Sequence, residues 1–235
     1  MYQDIPNNTF NFNEKLNPQN NYDPYNIMQN GFTNNTTNMN NNTPTNNATT
    51  TKSIRIKIEN VLFEYVHLAQ PHAFSQNETP KYSVTLLIHK LHNAEMLQKV
   101  RNAISETYNT ATQTIWNNIP QIDLQTLESK IIHDGDTKNF QGYYYIKATR
   151  DKTRPVIAVD SNNQEIKDEQ KARQYLSQIQ NGDRGIAYLA IKGYSINNYQ
   201  GIGIYLDAVQ KTHNKAANYN STAINPYSFN PSDYL

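Results

Sequence analysis

Short runs in which apolar and polar residues alternate constrain the fold of this chain more than any other feature. In the first run, Ile54, Ile56 and Ile58 alternate with charged residues, and the second run occupies residues 81–89. Successive side chains of a strand point to opposite faces of a sheet, so this alternation predicts half-buried strands. Similar runs at about residues 143–150, 155–159, 185–197 and 201–211 predict four more strands.

A helical period interrupts the strands. Apolar residues recur at three- and four-residue steps between about residues 93 and 116, which predicts one long amphipathic helix. A weaker helix is expected within residues 164–180, and irregular connections at residues 67–79 and 119–137. The two last strands are joined by four polar residues, which favours a β-hairpin. The chain is therefore predicted to be mainly β with one long helix, as an OB-fold-like Greek-key barrel flanked by disordered tails.

Composition delimits the folded part. Residues 1–51 contain 17 Asn and almost no periodic apolar pattern, so they cannot bury enough surface to offset chain entropy. They are predicted to form a disordered Asn-rich arm. Residues 212–235 consist mainly of Asn, Ser and Pro with isolated aromatics and are predicted to form a flexible tail. One domain, residues 52–211, remains between them.

Several kinds of chemistry have no support in the sequence. The chain has no cysteine, which excludes disulfides, thiolate zinc sites and cysteine nucleophiles. It has neither a phosphate-binding loop nor a nucleophile elbow. We expect no catalytic activity and no cofactor. Without a secretory signal or a long apolar run, a cytoplasmic protein is expected.

The acidic cluster at residues 133–136 has the composition of half of a metal site. His133, Asp134 and Asp136 carry groups that bind divalent cations, and a metal-dependent nuclease is one hypothesis for them. Such a site would need further convergent carboxylates, and no other cluster supplies them. An Asp-Gly turn at residues 134–135 is the favoured interpretation, so no metal is expected.

Three consecutive tyrosines carry the strongest functional signal. Alternation places Tyr144 toward the core and Tyr143, Tyr145 and Lys147 toward solvent. Exposed rings beside a cation are typical of proteins that stack unpaired bases and contact phosphates without reading sequence. The alternative is that tyrosines simply favour strands.

Cations around this run complete the predicted DNA-binding set. Residues 52–211 hold 19 Lys and Arg against 16 Asp and Glu, a balance of +3 that is compatible with nucleic-acid binding. We expect the cations on this and neighbouring strands to neutralise backbone phosphates. They are Arg150, Lys152, Arg154, Arg55, Lys57 and Lys81.

Five segments, taken in order, resemble the single-stranded DNA-binding proteins of tailed phages and prophages. They are residues 80–90, 134–136, 142–148, 154–160 and 201–211, and the resemblance covers roughly residues 52–211. It implies an OB-fold that coats single-stranded DNA during phage replication and recombination. The chain departs from the family at His89, where a proline is expected, and in the Asn-rich arm, which has no counterpart there.

The C-terminal end is a third departure. Relatives usually end in a strongly acidic tail, whereas this chain ends Ser232-Asp233-Tyr234-Leu235. The tail could instead dock on a replication partner such as a polymerase or helicase, with separately spaced anchors, or be a passive end. The candidate partner-binding residues are Tyr227, Phe229, Asp233 and Tyr234. The alternative function is a non-enzymatic interaction or virion-associated protein that works through its Asn-rich tails.

Overall fold

The computed structural model describes residues 49–117, 122–196 and 199–216. A 3-10 turn spans Gly135–Thr137. None of the helices in these ranges is both long and apolar enough to cross a lipid bilayer. The elements are the strands β1 (Thr49–Thr50), β2 (Ile54–His72), β3 (Lys81–His89), β4 (His133–Asp134), β5 (Tyr143–Asp151), β6 (Ile157–Val159), β7 (Arg184–Ile196) and β8 (Tyr199–His213), and the helices α1 (Ala94–Thr114), α2 (Leu124–Ser129) and α3 (Glu169–Ser177).

Five strands close into a barrel. They pair in the order β7–β2–β3–β5–β8, and β8 pairs with β7 to complete the circle. All these pairs are antiparallel except β5–β8, which are parallel and meet at Thr149 and Tyr205. The prediction of a mainly β, OB-fold-like barrel with one long helix is confirmed.

The core fills the barrel and continues beneath α1. Alternate residues of β3 and β5 point inward, among them Leu86 and Ile146, which are fully buried. Helix α1 packs its apolar stripe against β2 and β7. Trp116, just beyond the helix, is fully buried and its indole N–H donates to the carbonyl oxygen of Tyr194 at 2.9 Å. The long helix thus closes one side of the barrel, because its period matches a continuous apolar surface.

Strand β2 is longer than its sequence pattern predicts. It continues to His72, so the first half of the expected loop at residues 67–79 is strand. Register shifts between Ile58 and Val61 and between Glu64 and His67 mark bulges in β2. Each bulge adds a residue and shifts the alternation. The pattern beyond residue 63 therefore no longer has the simple period of two that identifies a strand.

The folded part begins and ends slightly outside its predicted bounds. Thr49 and Thr50 pair with β7, and Thr51 is buried, its hydroxyl oxygen accepting from the N–H of Gly193 at 3.0 Å. At the other end, the N–H of Lys215 donates to Asp183 Oδ1 at 2.8 Å. The prediction of disorder is therefore wrong for residues 49–51. The rest of the arm and most of the tail lie outside the described residues, including the four predicted partner-binding residues in the tail.

Candidate nucleic-acid interface

The outer face is the side of β2, β3 and β5 that points away from the barrel core. Strand pairing places Tyr145 beside Leu87, Lys147 beside Thr85 and then Thr149 beside Ser83 along this face. Tyr144 points the other way and packs against the main core. The predicted alternation, with Tyr144 toward the core and Tyr145 and Lys147 on the opposite face, is therefore confirmed.

The predicted exposure of Tyr143 is wrong. Its side chain is only 3% exposed and packs with Leu62, Leu87 and Phe140 in a small second core on the outer face. The chain turns back over the strand at this point, with the N–H of Tyr143 bonded to the carbonyl oxygen of Phe140 at 3.1 Å. A segment outside the strand thus covers the ring, which strand alternation alone cannot reveal.

Tyr145 belongs to an aromatic cluster at the edge of this second core. We use this name for Tyr65, His133, Phe140 and Tyr145. The rings of His133 and Tyr145 are stacked with centroids 4.9 Å apart, and Phe140 packs edge-on against both tyrosines, at 5.6 Å from Tyr145 and 6.0 Å from Tyr65. Burial and the neighbouring phenol of Tyr65 raise the pKa of Tyr145. The cluster presents half-buried and exposed rings to solvent beside Lys147.

The loop depression lies next along the outer face. It has a volume of about 100 Å³. Phe74, in the loop between β2 and β3, is 53% exposed, and its ring centroid lies 4.4 Å from Lys147 Nζ. Partial desolvation, followed by the nearby charge of Lys81, lowers the pKa of Lys147, while Glu78 acts in the opposite direction. The residues that line the loop depression are His72, Phe74, Glu78, Lys81, Ser83, Lys147 and Thr149.

Two stacked histidine rings pack against Phe74 at this depression. The rings of His67 and His72 are stacked with centroids 4.3 Å apart, and Phe74 packs edge-on against both. Burial, followed by repulsion from His72 and Lys147, lowers the pKa of His67. Lys81, a predicted phosphate contact, is only 8% exposed and forms part of the wall rather than the open surface.

The arginine pocket is a second depression, of about 280 Å³. Four cations line it together with only two acids, which makes it strongly cationic. Arg150 is held in place: Nη1 donates to Asp207 Oδ1 at 2.9 Å and to the carbonyl oxygen of Leu206 at 3.0 Å. Arg55, whose side chain is 77% exposed, lies 3.3 Å from Asp207 Oδ2. The lining residues are Thr50, Ser53, Arg55, Arg150, Asp151, Thr153, Arg154, Ala190, Lys192, Tyr205 and Asp207.

Two residues of the arginine pocket were not among the DNA-binding residues predicted from the sequence. Lys192 and Tyr205 lie on β7 and β8, and Lys192 Nζ is 5.7 Å from the Tyr205 ring centroid. The ring lies over Gly203, where an added Cβ would meet its carbons at 2.9 Å. Burial, followed by repulsion from Arg154, lowers the pKa of Lys192. Alternation along the two last strands was the available signal, since it puts both side chains outside the barrel.

The two depressions meet at the end of β5. Thr149 lines the loop depression, whereas Arg150 and Asp151 line the arginine pocket. Thr149 pairs with Ser83 on one side and Tyr205 on the other, so only one strand spacing, about 4.8 Å, separates neighbouring walls. Residues that line the two depressions are therefore neighbours at this point. Two predicted cations line neither depression: Lys152 is exposed in the turn after β5, and Lys57 lies 2.5 Å from Glu59 Oε1.

The acidic cluster has a structural explanation. Lys90 Nζ lies 2.6 Å from Asp134 Oδ1 and 2.6 Å from Asp136 Oδ2. Asp136 Oδ1 also accepts from the N–H of Gly142 at 2.6 Å. Within the described ranges, no three His, Asp or Glu side chains converge as ligands for a metal ion. The ammonium and the turn thus account for both carboxylates.

Comparison with protein families gives a direct match. The family model described as the ssDNA-binding protein of Enterobacter phage Enc34 matches residues 54–223. The chain belongs to this family. The family resemblance inferred from the five sequence segments is thereby confirmed. A search of curated proteins gave no match.

Solved structures from this family share the fold. The single-stranded DNA-binding protein of bacteriophage Enc34 in complex with ssDNA is 20% identical, with a TM-score of 0.54 over 68% of this chain and 87% of that chain. A C-terminally truncated form of the Enc34 protein is 20% identical, with a TM-score of 0.52 over 68% and 86%. At this identity the likeness establishes the barrel and not the roles of single residues.

Proposed function

We propose that this protein binds single-stranded DNA independently of its sequence, along a path from the loop depression on the outer face to the neighbouring arginine pocket. The observation that carries the proposal is the exposed Phe74 ring 4.4 Å from Lys147 Nζ, in one of two neighbouring depressions. Membership of the Enc34 family supports it, as does the Enc34 structure that contains ssDNA. Action in phage DNA replication and recombination is the role that we propose for this binding.

Two kinds of side chain contact the DNA in this proposal. Phe74, Tyr145 and Tyr205 offer rings on which bases can stack, and every base has a face suited to stacking. Lys147 and Arg154 offer positive charge to phosphates, which every nucleotide carries. Neither contact reads the edge of a base, so binding should not depend on sequence. A duplex hides its base faces, so unpaired DNA should bind more tightly.

A binding titration tests the proposal. Fluorescence anisotropy with labelled oligo-dT, a mixed-sequence strand and the matching duplex should give similar affinities for the two single strands and a much weaker affinity for the duplex. The logarithm of affinity should fall linearly with the logarithm of salt concentration, by about 0.7 for each phosphate neutralised. Equal affinity for duplex and single strand, or no dependence on salt, would contradict the proposed mechanism.

A ring variant locates the site. Phe74→Ala should weaken oligo-dT binding by about 1–3 kcal/mol if one stacked base is lost. Leu91→Ala is a matched control, because Leu91 is also an exposed apolar side chain but lines neither depression. Loss of affinity in both variants, or in neither, would place the binding site elsewhere.

We also propose that the protein binds DNA without cutting it. The Lys90 ammonium between Asp134 and Asp136 supports this proposal, because it neutralises the two carboxylates that a nuclease would use. End-labelled single strands incubated with the protein and Mg²⁺ or Mn²⁺ should remain full length. Protein-dependent fragments that disappear in an Asp134→Asn variant would refute this part of the proposal.

A further inference from the structure

We infer that Tyr65 is a further base-stacking residue, held out from the outer face by a strained bulge in β2. The inference deepens the proposed function and rests on it. Tyr65 was not among the residues that the sequence pattern selected. Three observations support the inference: the backbone conformation of Tyr65, the exposure of its side chain and its position next to Tyr145.

The backbone at Tyr65 is unusual for a tyrosine. Glu64 pairs with Thr85 and His67 with Ser83, so β2 advances three residues while β3 advances two. Tyr65 is within this bulge and has φ 47°. Bulges with a left-handed residue normally use glycine, because a Cβ is unfavourable there. A large ring at this position is therefore kept at a cost in stability.

The other positive-φ residues in the described ranges behave as expected. Outside glycine they are Asn60 and Asn163, and asparagine tolerates this conformation better than other residues. Strained conformations of less tolerant residues concentrate at ligand sites. The Tyr65 bulge is also anchored, since the N–H of Val66 donates to Asn181 Oδ1 at 3.2 Å.

Position and exposure identify an unpaired nucleobase as the ligand. Tyr65 is 54% exposed, and its ring packs edge-on against Phe140 of the second core, with centroids 6.0 Å apart. It extends the aromatic cluster beside Tyr145, which is next to Lys147 along the same face of β5. The site is therefore continuous with the proposed DNA path. A base following the one on Tyr145 can stack on Tyr65.

The competing explanation is that Tyr65 merely covers Phe140. The two explanations differ for Tyr65→Gly, which removes the ring but suits the positive φ. If the ring stacks on a base, the melting temperature should stay equal or rise while oligo-dT affinity falls about 5- to 150-fold. Tyr65→Phe should retain nearly full affinity. Asn163→Gly makes the same backbone change away from the outer face and should leave affinity unchanged.

A fluorescence experiment decides the matter even if Tyr65→Gly is poorly folded. The chain has one tryptophan, Trp116, which is fully buried. In Tyr65→Trp, oligo-dT should therefore quench only the new exposed indole, with a midpoint at the binding affinity. Unchanged fluorescence in that variant while anisotropy reports binding would overturn the inference. So would a Tyr65→Gly variant that melts lower but binds oligo-dT as tightly as the wild type.

These outcomes separate the inference from the proposed function. If the wild-type protein does not bind oligo-dT, the proposed function itself fails. If the wild type binds and Phe74→Ala weakens binding while Tyr65→Gly does not, only the role of Tyr65 fails.

Discussion

Glu64 should make the stability of this protein depend on pH. Its side chain is 1% exposed on the outer face of β2, opposite Thr85, and Oε1 has no hydrogen-bond partner among the described residues. Burial raises its pKa from an ordinary 4.5 to about 7, and the N–H of Tyr65 opposes this shift only in part. Burying the charged form is unfavourable, so the neutral carboxyl is the stable species in the folded protein below that pH.

The sign and size of the effect follow from linkage. Between pH 4.5 and 7 the native state holds a proton at Glu64 that the unfolded state has released. The free energy of unfolding therefore falls as pH rises through this window and levels off above pH 7. The difference between a pKa of 4.5 in the unfolded state and about 7 in the folded state corresponds to roughly 3 kcal/mol.

A histidine opposes this trend in part of the window. Burial, followed by the charges of His92 and Arg184, lowers the pKa of His89 from 6.5 to about 4. The unfolded state then binds the extra proton between pH 4 and 6.5, so this group makes stability rise with pH. The wild-type profile alone mixes the two effects, whereas the difference between wild type and Glu64→Gln isolates the carboxyl.

Urea unfolding of both proteins at pH 5 and pH 8 measures that difference. Relative to wild type, Glu64→Gln should gain about 2.5 kcal/mol more at pH 8 than at pH 5, because part of the effect is already present at pH 5. Glu106→Gln is the control, because Glu106 is exposed on α1 and its effect should stay within about 0.5 kcal/mol at both pH values. A Glu64→Gln difference that does not change with pH would refute the reasoning.

The remaining predictions concern the interface and the tail. Lys147→Ala should make the salt dependence of oligo-dT binding shallower by about 0.7, whereas Lys171→Ala, on α3, should not. Arg150→Ala should lower stability by about 1–3 kcal/mol in urea unfolding, because it leaves the carbonyl oxygen of Leu206 and the Asp207 carboxylate short of a donor. Tyr144→Ala should lower the melting temperature while the folded protein still binds DNA, since its ring packs on the main core. Deleting residues 223–235 should leave melting temperature and DNA affinity intact but abolish pull-down of a replication partner; unfolding of the truncated protein would contradict this.

Local patterns in the sequence determined which segments are strands and helices, and for many of their side chains whether they point toward the core. The alternation in residues 143–148 correctly paired Tyr144 with Ile146, because side-chain direction in a strand depends only on residue parity. The three- and four-residue period around residues 93–116 predicted α1 for the same reason, since that period is fixed by helix geometry. A barrel was foreseeable because several short strands with one apolar face must bury those faces against each other.

Only the tertiary structure decided what covers each face and which strands meet. Tyr143 is buried because Phe140 and its neighbours turn back over it, a contact that strand parity does not encode. The arginine pocket joins Arg55, Arg150 and Lys192 from three strands whose register is set by barrel closure. The bulge between Glu64 and His67 is a further example, because one extra residue changes the direction of the Tyr65 side chain and no local sequence pattern indicates it. The direction of a side chain in a strand depends on its immediate neighbours in the sequence, whereas the interface depends on pairings between distant residues, such as Arg55 with Ala190 and Thr149 with Tyr205.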